Sequence, residues 1–130
     1  MTPEIIPEDH FLFKRIPPIH WVFEEDRLSS AAFRTSALVQ CVNWEKYSSE
    51  QHTLEGFPSN TGLLKIQAKI PIERDLEVKH VPVEDIADPT KNNPAHSEIL
   101  GSNLNKDSHC KNLSRNSIVL KKPTQGLLSN

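Results

Sequence analysis

Leu64-Lys65-Ile66-Gln67-Ala68-Lys69-Ile70 alternates apolar with polar side chains from end to end. Successive side chains of a strand point to opposite faces, so Leu64, Ile66, Ala68 and Ile70 share one face and Lys65, Gln67 and Lys69 the other. One buried and one wetted face is what an antiparallel sheet offers. Pro71 is expected to end this strand, because proline cannot donate to the ladder. The same pattern spreads outward. Phe11, Phe13 and Arg15 alternate with Leu12, Lys14 and Ile16 up to Pro17-Pro18, and Leu76, Val78 and His80 alternate with Glu77 and Lys79 before Pro82. Ile19 to Phe23 is short and aromatic, and Ala37 to Val42 is apolar apart from Gln40, as a buried strand would be. A helix is expected over Ser49 to Glu55, with Ser48 as its N-cap, Gln51 three residues on and Gly56 at its end. Leu28 to Arg34 reads as a second short helix, started by Ser29 or Ser30, or as a turn. Val83 to Asn93 reads as a long loop. The gaps are too short for several helical crossovers. The expected fold is therefore α+β, with a small mixed or mainly antiparallel sheet and one or two short helices.

The 130 residues fit one domain with a core that needs no metal or disulfide staple. No run of apolar residues is long enough to span a bilayer as a helix. The net charge of −2 makes no global case for nucleic acid or a membrane surface, but it is unevenly spread. Residues 1–101 carry 10 Lys/Arg and 16 Asp/Glu, whereas residues 102–130 carry 5 Lys/Arg and 1 Asp. The composition shift at Gly101 suggests a single α+β domain over 1–101 and a basic, polar C-terminal tail over 102–130, dispensable for folding. The first ten residues lack the basic and apolar stretches of an export signal. Cytoplasmic location and two free thiols, Cys41 and Cys110, are the matching expectation.

Three pieces, Arg15-Ile16-Pro17-Pro18, Ser29-Ser30-Ala31-Ala32-Phe33 and Asn93-Pro94-Ala95-His96-Ser97-Glu98-Ile99-Leu100-Gly101, occur in an order and spacing that resembles a group of short prokaryotic proteins. The resemblance covers roughly residues 11–101. It implies a prokaryotic, cytosolic origin and no chemistry.

Familiar catalytic patterns fail. The glycines at 56, 62, 101 and 126 cannot form a phosphate loop, and no Gly-x-Ser-x-Gly elbow exists. His96-Ser97-Glu98 matches half of a zinc-deaminase signature, but two further thiolates are required and only Cys110 lies downstream. No metal or other cofactor is expected. What remains is polar groups held by rigid punctuation. Pro94 and Gly101 bracket His96 and Glu98, which share one face if the segment is extended. Such a pair suits acid–base chemistry, and they are the candidate catalytic residues. Pro17-Pro18 fixes Arg15 against His20, and these two with Ser30 are the candidate ligand-binding set, Arg15 suiting a phosphate or carboxylate. Solvated strand residues, an ion pair of Arg15 with Glu24 or Glu25, and a capping Ser30 are the plainer readings.

Two functions follow. The first is a non-catalytic accessory or interaction module of a prokaryotic multi-gene system, with a protein partner and no membrane. The second is a small enzyme acting on a nucleotide or other phosphate-bearing ligand. That enzyme would be ADP-ribosyltransferase-like, using Arg15, Ser30 and Glu98, or an acid–base nuclease using His20 and His96.

Overall fold

The computed structural model describes residues 1–125. Its strands are β1 (Phe11–Ile16), β2 (Trp21–Val22), β3 (Arg27–Leu28), β4 (Val39–Trp44), β5 (Gly62–Gln67), β6 (Glu77–His80), β7 (His96–Leu100) and β8 (Ile118–Lys121). The helices are α1 (Glu50–Leu54), α2 (Lys69–Ile72) and α3 (Asp107–Arg115), with single 3-10 turns at Pro18–His20, Ser30–Phe33 and Pro89–Lys91. Six strands form one sheet in the order β6-β7-β4-β1-β5-β8, every neighbouring pair antiparallel, and β2 and β3 make a separate hairpin. The fold is α+β, as the strand pattern implied. Among the described residues no helix is long and apolar enough to cross a membrane.

One face of the sheet carries the core. Leu12, Ile16, Val42, Trp44, Leu64, Ile66 and Ile99 pack there with Ala32 and Phe33 of the 3-10 turn and with Leu104, Cys110 and Leu113 from the α3 region. The alternation read at Leu64 holds for Leu64, Ile66 and Ala68, all fully buried. It fails at its end. β5 stops at Gln67, and the amides of Ala68 and Lys69 turn to the carbonyls of His10 and Glu8. Pro71 then sits inside the single turn of α2 rather than closing a strand. The first amides of a helix have no intrahelical partner, so proline forfeits no bond there.

The helix expected near residue 50 is α1, capped by Ser49, whose Oγ accepts from the His52 amide at 3.1 Å; Ser48 stands one residue outside. Gly56 follows at φ +81°, a conformation other residues adopt only with strain. Residues 28–34 resolve into β3 and the 3-10 turn, with Ser29 rather than Ser30 as its cap.

The largest departure lies beyond Gly101. Where a polar tail dispensable for folding was expected, this segment packs into the core and pairs into the sheet. Leu104, Cys110 and Leu113 are fully buried, and β8 pairs with β5 through Leu63↔Lys121, Leu64↔Val119 and Lys65↔Ile118. The approach is close enough that a Cβ on Gly62 would lie 2.6 Å from the Lys121 carbonyl oxygen and the Pro123 ring. Polar composition misled here because α3 buries only a narrow stripe, His109, Cys110 and Leu113. The last part of the expected tail, residues 126–130, lies outside the described residues.

Two outcomes follow from this packing. Ile66→Ala should cost about 2–5 kcal/mol in chemical denaturation, as large-to-small core changes do. Truncation after Gly101 should abolish cooperative thermal unfolding, because it removes α3 from the core and β8 from the sheet; a sharp transition in the truncated chain would contradict the assignment.

Candidate functional site

β1 is paired unequally with its two neighbours. Against β5 it keeps six pairs, from Phe11↔Gln67 to Ile16↔Gly62. Against β4 it keeps two, Leu12↔Trp44 and Phe13↔Asn43. Beyond them β4 continues with β7 through five pairs ending at Val39↔Leu100. The sheet therefore forks after Phe13 and Asn43. Residues 14–16 of β1 and 39–42 of β4 border the opening, and two depressions lie in it. The larger, about 520 Å³, is lined by Lys14, Arg15, Pro17, Pro18, His20, Cys41, Phe57, Pro58, Asn60 and Thr61. The smaller, about 40 Å³, shares Lys14, Arg15 and Cys41 with it and adds Phe13, Val42, Asn43, Asn93 and His96.

Thr53 of α1 spans the fork. Its carbonyl accepts from Arg15 Nη1 at 2.9 Å and its Oγ1 accepts from Asn43 Nδ2 at 3.3 Å, so one buried residue ties β1 to β4 from outside the ladder. Asn43 Oδ1 in turn accepts from Asn93 Nδ2 at 3.0 Å. The loop after α1 supplies Phe57, whose ring centroid lies 3.8 Å from the Arg15 guanidinium carbon. This is cation–π distance, and it fixes the guanidinium plane.

Electrostatically the cleft is one-sided. Three of its lining residues are basic, Lys14, Arg15 and His20, and none is a carboxylate. Among the described residues neither Lys14 nor Arg15 has an acidic partner. The ion pair with Glu24 or Glu25 does not form, because Glu25 holds Arg27 at 3.0 Å. Lys14 remains partly accessible as a lining residue, yet its amine is shielded. Burial, with Arg15 beside it, pushes its pKa down to about 8. His20 is also lowered, by burial first and then by Lys14, and its Nδ1 is enclosed without a hydrogen-bond partner.

The structure divides the sequence candidates. Arg15 and His20 line the larger depression, and Arg15 and His96 the smaller. His96 and Glu98 do share a face of β7, alternating with buried Ser97 and Ile99. His96 Nδ1 donates to the Val81 carbonyl at 2.9 Å, leaving Nε2 for other partners. Glu98 lies opposite Cys41 and Lys79 and lines neither depression. Ser30 is apart from both. It borders a groove of about 460 Å³ with Arg27, Leu28, Lys111, Ser114 and Arg115, where part of the basic C-terminal charge gathers. Among the described residues no cluster of His, Cys, Asp or Glu could hold a metal ion. Both cysteines are free, Cys41 exposed and Cys110 buried.

Lys14 and Cys41, which line both depressions, were not among the sequence candidates, although a signal for Lys14 exists. Leu12, Lys14 and Ile16 fall two apart, and the outer two are fully buried, so Lys14 occupies a position of the core-facing set.

Compared with protein-family models, curated proteins and solved structures, the chain matches none of them.

Shielding Lys14 has a thermodynamic consequence. Its pKa is about 8 in the fold and 10.5 in the reference state, so the unfolded chain binds more protons between those values. Stability should rise with pH across that window, and the penalty is full below about pH 8. Lys14→Met should therefore stabilise the protein at pH 7 by on the order of 1–3 kcal/mol, with the gain fading towards pH 10.5. Urea melts of both proteins across that range would check it.

Proposed function

We propose that this chain is a non-catalytic binding module whose forked cleft takes a small anionic ligand with a flat apolar part, of the nucleotide or phosphorylated-aromatic class. One observation carries the reading: Lys14 and Arg15, with His20 beside them, line a single cleft with no carboxylate to balance the two cations. Buried or half-buried cations are ordinarily paired, so the missing countercharge is assigned to the ligand. Arg15 supports this best, since its guanidinium is held by Thr53 and Phe57 and keeps donors free for a phosphate or carboxylate. Pro17, Pro18, Phe57 and Pro58 supply apolar walls. A volume of about 520 Å³ is within the usual range for small-molecule sites.

The separation of the enzyme candidates favours binding over turnover. The ADP-ribosyltransferase-like layout needs Arg15, Ser30 and Glu98 together, but these residues border a cleft, a separate groove and neither, respectively. For the nuclease layout, His20 and His96 lie in different depressions. Accessory function through a protein partner is a second reading, favoured by the edge position of β8 with Ile118 and Val119 exposed.

Calorimetric titration with inorganic phosphate and with adenosine monophosphate tests the cleft. Both should bind, the nucleotide more tightly because its base can use the apolar walls. Arg15→Ala should weaken binding at least tenfold, the size of one lost charge-assisted bond, while Ser30→Ala should leave it unchanged. Equal affinity in wild type and Arg15→Ala would remove the cleft from consideration.

A further inference from the structure

Lys14 does more than an electrostatic role requires. Arg15 already supplies a permanent, oriented cation, held by the Thr53 carbonyl and the Phe57 ring. A lysine kept for charge alone would sit in water or beside an acceptor. Lys121 Nζ, for example, donates to the Ser59 carbonyl at 3.0 Å. Among the described residues the Lys14 amine forms no salt bridge, and the Arg15 charge is close enough to lower its pKa. Phe33, a core ring, lies 5.8 Å from its Nζ. Desolvation and an adjacent cation are the two means by which a lysine amine becomes a nucleophile near neutral pH.

We propose that Lys14 captures the carbonyl of an anionic aldehyde or ketone as a reversible imine, with Arg15 holding the ligand's phosphate or carboxylate. This rests on the anion-binding reading of the cleft and narrows its ligand to carbonyl compounds. The step needs no oxidant or reductant. The unprotonated Lys14 nitrogen attacks the carbonyl carbon, a C–N bond forms, and the carbonyl π pair passes to oxygen, which takes up a proton. The hydroxyl then leaves with a proton from nitrogen as water, and the C=N bond closes. His20 lines the same cleft and stands as the proton carrier between nitrogen and departing oxygen. With a pKa of about 8, about a tenth of the amine is free at pH 7, roughly 300-fold more than for a lysine at 10.5. Cys41 lines the cleft as well, and a thiol can add to the same carbonyl but cannot lose water to form a C=N bond.

Pyridoxal 5′-phosphate, an aromatic aldehyde bearing a phosphate, is the probe. It is added below one equivalent, trapped with borohydride, and the modified peptide is mapped by mass spectrometry in wild type and Cys41→Ser. Lys14 should carry most of the label, ahead of the other lysines, and excess phosphate or Arg15→Ala should cut that label at least tenfold. Lys14→Arg and Lys14→Gln, checked for folding by their melting curves, should lose the preferential site. Pyridoxine 5′-phosphate, which has the phosphate and ring but no carbonyl, is the companion ligand. If it binds with dependence on Arg15 while the aldehyde labels the lysines without preference, the imine proposal is overturned and the anion cleft stands. If neither compound binds, both are overturned.

Discussion

The unequal sharing of β1 between its neighbours governs the rest of this structure. A fully zipped sheet would have paired residues 14–16 with β4 and left no opening beside them. Instead β1 follows β5 for six pairs and β4 for two, while β4 follows β7 for five. Backbone groups released from a ladder need water, side chains or a ligand, so the fork has to remain open to solvent or be filled. Thr53 closes it from one side by accepting from Arg15 on one prong and Asn43 on the other. Phe57 and Pro58, which follow in the same loop, then become walls of the cleft.

Charge at the fork runs against the charge of the chain. Residues 1–101 are acidic by six units, yet the cleft they build is lined by Lys14, Arg15 and His20 without a carboxylate. Composition averages over a surface, whereas a ligand meets the local field of one concave site. The acids instead neutralise cations elsewhere: Glu25 holds Arg27, Glu4 holds Lys46, Asp26 holds Lys122 and Asp107 holds Arg34. Those pairs are exposed and contribute little stability. Lys14 is the opposite case, a charge whose burial costs stability and which is kept in a cleft; such uncompensated groups cluster at functional sites.

Much of the sheet could be read from residues alone, because strand alternation is a local property. Leu64, Ile66 and Ala68 declared the buried face of β5, and His96 and Glu98 declared the accessible face of β7. The punctuation was harder. Pro71 looked like a strand terminator but fits the first turn of a helix, where no amide partner is lost. α3 was missed because its buried stripe combines a cysteine and a leucine with a histidine, so periodicity was diluted below what composition could show. Ile118-Val119-Leu120 did carry a strand signal, but its partner β5 lies more than fifty residues earlier, a distance no local pattern spans. Arg15 and His20 were legible as a pair because Pro17-Pro18 marks them, and both line the larger depression. Glu98 shares a face with His96 yet lines neither depression, because that depends on where the fork opens.

What sets the fork apart is Lys14, standing in a shielded, unbalanced cationic cleft. Its side-chain resonances, followed by heteronuclear NMR as pH is raised with and without saturating inorganic phosphate, report on that directly. A midpoint near 8 is expected without phosphate, moving upward when the anion supplies the missing charge. A midpoint at the ordinary lysine value of 10.5, indifferent to phosphate, would contradict it.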